Sequence, residues 1–194
     1  MEFGISEEGR IIEEQVVRFI NEKIIPAEKT IHAESEASEN GRDGETITLL
    51  RSEAKSLGLW NLYLPDKEWG AGVSNHDYSL LCEHMGRSAA APRVFNCQAP
   101  DTGNAEILAE FGTDAQNAKW LTPLLEGEIR SCFSMTEPDT SGADPTGIRT
   151  HAVKDGDEYV INGHKWFTSG AVGAEFAIAM VVTNPEGNPH ERAS

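Results

Sequence analysis

Cys132-Phe-Ser-Met-Thr-Glu-Pro-Asp-Thr-Ser-Gly-Ala-Asp144 and Tyr159-Val-Ile-Asn-Gly-His-Lys-Trp-Phe-Thr-Ser-Gly170 are the two stretches on which the reading of this chain turns. Before Arg130 the apolar residues recur at helical spacing. After it they fall into short runs broken by Asp-Gly and Asn-Gly, which is the pattern of strands. The sequence therefore predicts an α+β chain: an N-terminal all-α helical bundle domain over residues 1–130, then an antiparallel β domain over 131–194.

Working outward, Ile12, Val16, Phe19, Ile20 and Ile24 predict a first helix, with Ser6 as N-cap and Pro26 near its stop. Ile47, Leu50, Ala54 and Leu57 predict a second, which Gly58 ends in a left-handed turn. The polar, glutamate-rich stretch 28–45 between them reads as a connector. A loop follows Leu59, with Pro65, Gly70 and Gly72, and then Tyr78, Leu81, Cys82 and Met85 predict a third helix. Ile107, Leu108 and Phe111 predict a fourth, closed by Gly112. Thr113 with Gln116 makes a capping box for a fifth, which carries Trp120, Leu121, Leu124 and Leu125 and stops at Gly127.

Five strands are expected beyond Arg130: 131–135, 148–154, 158–161, 164–167 and 176–183. Asp155-Gly156 and Asn162-Gly163 supply hairpin turns, because glycine accepts the positive φ that such turns require. The tail 184–194 reads as a loop that ends where a return strand is due. A sheet that stops there leaves an open edge, so the chain is expected to be cut short.

Composition narrows the function classes. With 32 acidic and 16 basic side chains, the net charge of −16 repels phosphates, which argues against nucleic acid. No stretch approaches the roughly 20 apolar residues of a membrane span. Glu2, Glu7 and Glu8 give the N-terminus the wrong charge for a signal or transit peptide, so a cytoplasmic location is expected. Cys82, Cys97 and Cys132 are unpaired in number and widely spaced. They are expected to be reduced, buried thiols and not a disulfide framework or a zinc site, and no metal cluster is expected.

The chemistry concentrates in the two opening stretches. Met135-Thr136-Glu137-Pro138 places a hydroxyl and backbone N–H groups at a strand end, just before proline turns the chain. Such donors suit the carbonyls and ring nitrogens of a flavin. The small, polar loop 139–144 lets backbone approach a diphosphate or pantetheine. Trp166 can cover a ring face, and the Thr168 hydroxyl can reach a ring nitrogen or oxygen. Glu137, placed before a proline, reads as structural or solvated. His151 and His164 lack a partner acid at useful spacing.

Taken in order, the Met-Thr-Glu-Pro strand and the Trp-x-Thr-x-Gly segment resemble the flavin-holding motifs of the acyl-CoA dehydrogenase family. The resemblance covers the whole chain. Together with Phe95-Asn-Cys-Gln-Ala-Pro-Asp-Thr-Gly-Asn104 it is most similar to the branch that contains family members ten and eleven. It implies an N-terminal helical domain, a middle β domain and a C-terminal four-helix domain beyond this chain, assembled as a homodimer or homotetramer. It also implies FAD as cofactor, a fatty acyl-CoA as substrate and an electron-transfer flavoprotein as electron acceptor.

By position, the resemblance implies that Phe133, Met135 and Thr136 line the pyrimidine side of the flavin, with Trp166 and Thr168 at its other face and its N5/O4 edge. Gly142 and Ala143 lie in the cofactor-contacting loop. Phe95, Asn96, Ala99 and Ser141 are placed toward the acyl-CoA. Ala143 departs from the serine that many members carry there, and Ser141 is its possible replacement. The catalytic base, a glutamate, is expected in the C-terminal helical domain and so is not among these residues. Two other readings stay open: a truncated, non-catalytic paralogue acting as an interaction module, and an acyl-CoA oxidase or flavin monooxygenase built on the same motifs.

Overall fold

The computed structural model describes residues 4–38 and 43–194. The chain forms two compact units, Met1–Glu128 and Ile129–Ser194. The first is helical and the second carries all the strands.

In the helical unit, α1 (Glu7–Phe19) starts at Ser6, whose hydroxyl accepts the Gly9 N–H. A π-helical turn, Ile20–Ile24, joins it without a break to α2 (Ile25–Ala37). The sequence places Pro26 at a stop and 28–45 in a connector. The stop and the first part of the connector, 28–37, are corrected here, because the helix runs to Ala37; residues 39–42 of that stretch lie outside the described residues. Proline lacks a donor and its ring collides with the carbonyl four residues back in an ordinary α-helix. The widened turn just upstream, in which the Ile25 N–H reaches Ile20 O, moves that carbonyl aside. The same device recurs around Pro123. There a π turn, Asn117–Leu121, precedes the last helix, and the Thr122 N–H reaches Asn117 O.

The other helices are α3 (Glu45–Ser56), α4 (Asn75–Met85), α5 (Ala91–Val94), α6 (Asp101–Phe111), α7 (Asp114–Gln116) and α8 (Thr122–Glu126). Gly58 and Gly127 take left-handed φ of 74° and 75° after α3 and α8. The Thr113–Gln116 capping box is complete. The core is built from Val16, Ile20, Ile24, Ile47, Leu81, Phe95, Leu121 and their neighbours, with the Phe19 and Phe95 rings 5.6 Å apart.

The fourth expected helix had the wrong stripe. Asp101, Asn104, Ala105 and Leu108 face inward, whereas Ile107 and Phe111 are exposed, so α6 begins a full turn earlier than its apolar residues indicate. Cys97 and Cys132 are buried, and Cys82 is exposed. Burial pushes the Cys97 thiol up to about 12, where it stays protonated and unreactive.

The second unit holds β1 (Ser131–Ser134), β2 (His151–Asp155), β3 (Glu158–Asn162) and β4 (Phe176–Ala179). β2 and β3 form the expected antiparallel hairpin, turned at Gly156 with φ 62°. β1 and β4 pair in parallel, Ser131 opposite Phe176 and Ser134 opposite Ala179, which corrects the expectation of a wholly antiparallel sheet. Alternation announces a strand and leaves its direction to tertiary contacts.

The expected strand 164–167 is absent, and Asn162-Gly163 is not a hairpin turn. Gly163 lies so close to Thr150 that a Cβ would meet its side chain, and Phe167 takes φ 49°, which breaks an extended repeat. The tail is more ordered than a loop. Residues 192–194 return along 181–183, with the Val181 N–H donating to Ser194 O at 3.0 Å and the Ser194 N–H to Val181 O at 2.9 Å.

Candidate functional site

The end of β1 and the segment 163–170 meet in the β unit. The Trp166 N–H donates to Thr136 O at 3.1 Å. Two residues away along each stretch, the Ser134 and Thr168 hydroxyls share a hydrogen bond at 3.2 Å. The small loop closes over the same strand end: a Cβ on Gly142 would lie 2.9 Å from Thr136 Oγ1. Thr136, Gly142, Trp166 and Thr168, distant in sequence, are thus brought together.

The donor inventory at this junction is open. Among the described residues, the Met135 and Thr136 N–H groups, the Thr136 hydroxyl and the Trp166 indole N–H have no hydrogen-bond acceptor. Beside them two aromatic rings face outward. Trp166 is 41% exposed and Phe167 80%, with centroids 4.7 Å apart and planes tilted by 48°. Open aromatic faces next to unspent donors fit a flat heteroaromatic ring that carries acceptors along one edge, as the isoalloxazine of FAD does. An aromatic residue held at positive φ is uncommon, and such backbone strain concentrates at binding sites.

Beneath Thr136 lies a buried ionic clasp. Glu137 accepts the Arg149 N–H and the Thr150 N–H, each at 2.8 Å, and the Lys165 ammonium at 2.9 Å. Lys165 also donates to Met135 O at 2.8 Å. Burial alone would raise the Glu137 pKa. The donors from Thr150, Arg149 and Lys165 outweigh it and hold the carboxyl down at about 2. A carboxylate so engaged is an anchor and not a proton acceptor; of the two roles read from its place before Pro138, structural or solvated, its burial fits the first.

The remaining expected site residues are placed as follows. Phe133 and Met135 are half-buried on and just after β1, and strand alternation sets Phe133 on the face opposite Ser134. Ser141, Gly142 and Ala143 are exposed in the loop, and so is Ala99 in the helical unit. Phe95 and Asn96 are buried in that unit. Asn96 donates to Asn61 Oδ1 at 2.7 Å and to Leu124 O at 3.2 Å, and accepts from Arg51 at 3.3 Å. Sequence reasoning missed Ser134, Lys165 and Phe167. Alternation from Thr136 back to Ser134 was the available signal for the first, and adjacency to Trp166 for the other two.

A helical domain leading into a β domain with this strand-end junction defines a class, and the comparisons name it. The model of the acyl-CoA dehydrogenase N-terminal domain matches residues 6–128, and that of the middle domain residues 132–194. The chain belongs to the acyl-CoA dehydrogenase family.

Among its relatives, acyl-CoA dehydrogenase family member 10 of Mus musculus is 43% identical over 98% of this chain and 18% of its own length. Family member 11 of Homo sapiens is 44% identical over 93% of this chain and 23% of its own length. A solved structure of a candidate acyl-CoA dehydrogenase from Mycobacterium abscessus matches with a TM-score of 0.89 and 40% identity, over 98% of this chain and 50% of that one. Glutaryl-CoA dehydrogenase from Mycobacterium smegmatis matches with a TM-score of 0.70 and 25% identity, over 92% of this chain and 43% of that one. The chain therefore spans less than a quarter of these curated relatives and about half or less of the solved chains. No helix among the described residues is long and apolar enough to cross a membrane.

Proposed function

We propose that this chain forms the N-terminal and middle domains of an FAD-dependent acyl-CoA dehydrogenase that introduces a double bond between the α and β carbons of a fatty acyl thioester. The observation that carries the reading is the junction of the two motifs, Trp166 N–H to Thr136 O and Ser134 to Thr168. FAD, when bound, supplies the hydride acceptor. Thr136 presents its hydroxyl and N–H to the ring's acceptor edge, Met135 adds its backbone N–H, and Phe133 backs the strand from its other face. Thr168, held by Ser134, presents a second hydroxyl whose position is set before binding. Trp166 and Phe167 cover a ring face and exclude water.

The small side chains at Ser141, Gly142 and Ala143 leave room for a diphosphate or the CoA moiety, and Ala99 is the open position on the approach for an acyl tail. Phe95 and Asn96 contribute through the shape of the buried turn they form. An α proton of a thioester needs a carboxylate base of raised pKa. Glu137 is held in the opposite direction, so the base belongs to the further helical domain that the family implies. An electron-transfer flavoprotein as acceptor, assembly as a homodimer or homotetramer, and a cytoplasmic setting complete the reading.

The test is titration of FAD with the chain, followed by quenching of flavin fluorescence. Saturable quenching that Thr136→Val and Trp166→Ala both weaken supports the proposal. A chain that leaves FAD fluorescence unchanged at about 100 μM, a concentration well above a micromolar Kd, overturns it.

A further inference from the structure

The segment 163–168 is secured to the end of β1 by very little main chain. It lacks a strand ladder, and its one backbone bond to residues 135–137 is Trp166 N–H to Thr136 O. A segment of that kind would slide along the strand end, because register is weakly specified wherever a ladder is missing. Lys165 removes this freedom. Its ammonium bonds Met135 O and Glu137 Oε1, the residues on either side of Thr136. Glu137 is in turn tied to the Arg149 and Thr150 N–H groups at the start of β2. One buried carboxylate therefore ties the end of β1 both to the residues that lead into β2 and to the segment 163–168.

The geometry points to Glu137 and Lys165 as positioning residues of the flavin site: the pair locks Thr136 and Trp166 into a single register before any ring arrives. This rests on the reading of residues 133–136 and 166–168 as that site. Preorganisation of the surrounding shell is what turns hydroxyls and N–H groups into a specific cradle, and removing one partner of a buried pair leaves the other charge uncompensated. A pair that served stability alone would loosen the whole β unit evenly. A positioning pair loosens the junction first.

Amide hydrogen exchange of the chain, read by NMR at Trp166 and at Glu175, separates the two. The Glu175 N–H bonds Arg130 O at 2.8 Å in the same unit, at the opposite end of β1 from the clasp. Lys165→Met is expected to speed exchange at Trp166 roughly tenfold or more while Glu175 stays within about twofold. Lys165→Arg, which keeps the charge and the donors, restores Trp166. Unchanged exchange at Trp166, or an equal rise at both amides, overturns the assignment. Should Lys165→Met leave the unit unfolded, Lys165→Gln is read by the same two amides. FAD affinity measured on the same samples decides the underlying reading separately: a wild-type chain that ignores FAD defeats the flavin site, while the exchange pattern still decides the clasp.

Discussion

Asn96 donates its side-chain amide to Asn61 Oδ1 at 2.7 Å, and the two residues hold left-handed backbone at φ 53° and 52°. Asparagine tolerates this conformation better than most residues, and its side chain here also reaches the carbonyls at the end of α8. The pair closes the turn after α5 against the turn after α3, with the Asn61 N–H donating to Phe95 O at 3.1 Å. Asn96→Ala removes the bonds and places a Cβ in the left-handed region, for an expected loss of about 2–4 kcal/mol. Asn96→Gly loses the same bonds without the backbone penalty and should be less harmful by about 1 kcal/mol. Urea unfolding of the helical unit measures both, and equal losses would contradict the backbone argument.

Gly9 and Gly103 both lie inside helices and should respond to alanine with opposite signs. A Cβ at Gly103 meets nothing within 4 Å, so Gly103→Ala is expected to stabilise by about 1 kcal/mol through helix propensity. A Cβ at Gly9 would sit 2.8 Å from Asp77 Cγ and from Ile5 Cγ1. Asp77 has little freedom to withdraw, because the Ser6 N–H and hydroxyl and the Ser74 hydroxyl all donate to it. Gly9→Ala should therefore destabilise by about 1–3 kcal/mol. Thermal melting of the two variants checks the signs.

The clasp at Glu137 has a pH signature. Its pKa is held at about 2 in the folded chain against an ordinary value of 4.5. A folded-state pKa below the unfolded one contributes stability that is fully present above about pH 4.5 and is lost as pH falls from there through about 2. The contribution at neutral pH is on the order of 3 kcal/mol. Glu137→Gln should lower the stability of the β unit by about that amount at pH 7, with the difference from wild type shrinking as the pH approaches 2. Urea midpoints followed on β2 and β3 amide signals at several pH values provide the measurement.

Thr136→Val is close to isosteric and removes a hydroxyl that has no acceptor among the described residues. It should leave the melting temperature nearly unchanged while weakening FAD binding by about 3- to 10-fold, the worth of one neutral hydrogen bond. Thr168→Val should weaken binding similarly. It should also cost some stability, because it strands the Ser134 hydroxyl. Paired titrations and melts distinguish the two threonines.

Local chemistry was legible wherever one residue decides one conformation. Ser6, the Thr113–Gln116 box and the left-handed glycines at 58 and 127 could be read directly because a cap or a positive φ is settled within a few residues. That the two motifs come together could also be read from their residues and order, and Trp166 does meet Thr136, as Thr168 meets Ser134. The register of α6 could not be read, because its buried stripe starts with Asp101 and Asn104, whose polarity conceals an inward face.

Other features depend on residues far apart in the chain. Pro26 looks like a helix stop until a π turn upstream accommodates it, as a second π turn does Pro123, and such a turn has no sequence signature of its own. Gly163 looks like a hairpin glycine, yet it is required by the nearness of Thr150. The sequence by itself determined the helical and β halves, most of the caps and three of the residues that meet at the junction, Thr136, Trp166 and Thr168, because periodicity and turn chemistry act over a few residues. Only the tertiary structure decided the parallel pairing of β1 with β4, the exposure of Phe167, and the anchoring of Glu137 by Arg149, Thr150 and Lys165. Those outcomes rest on contacts between distant segments, whose free energies no local pattern encodes.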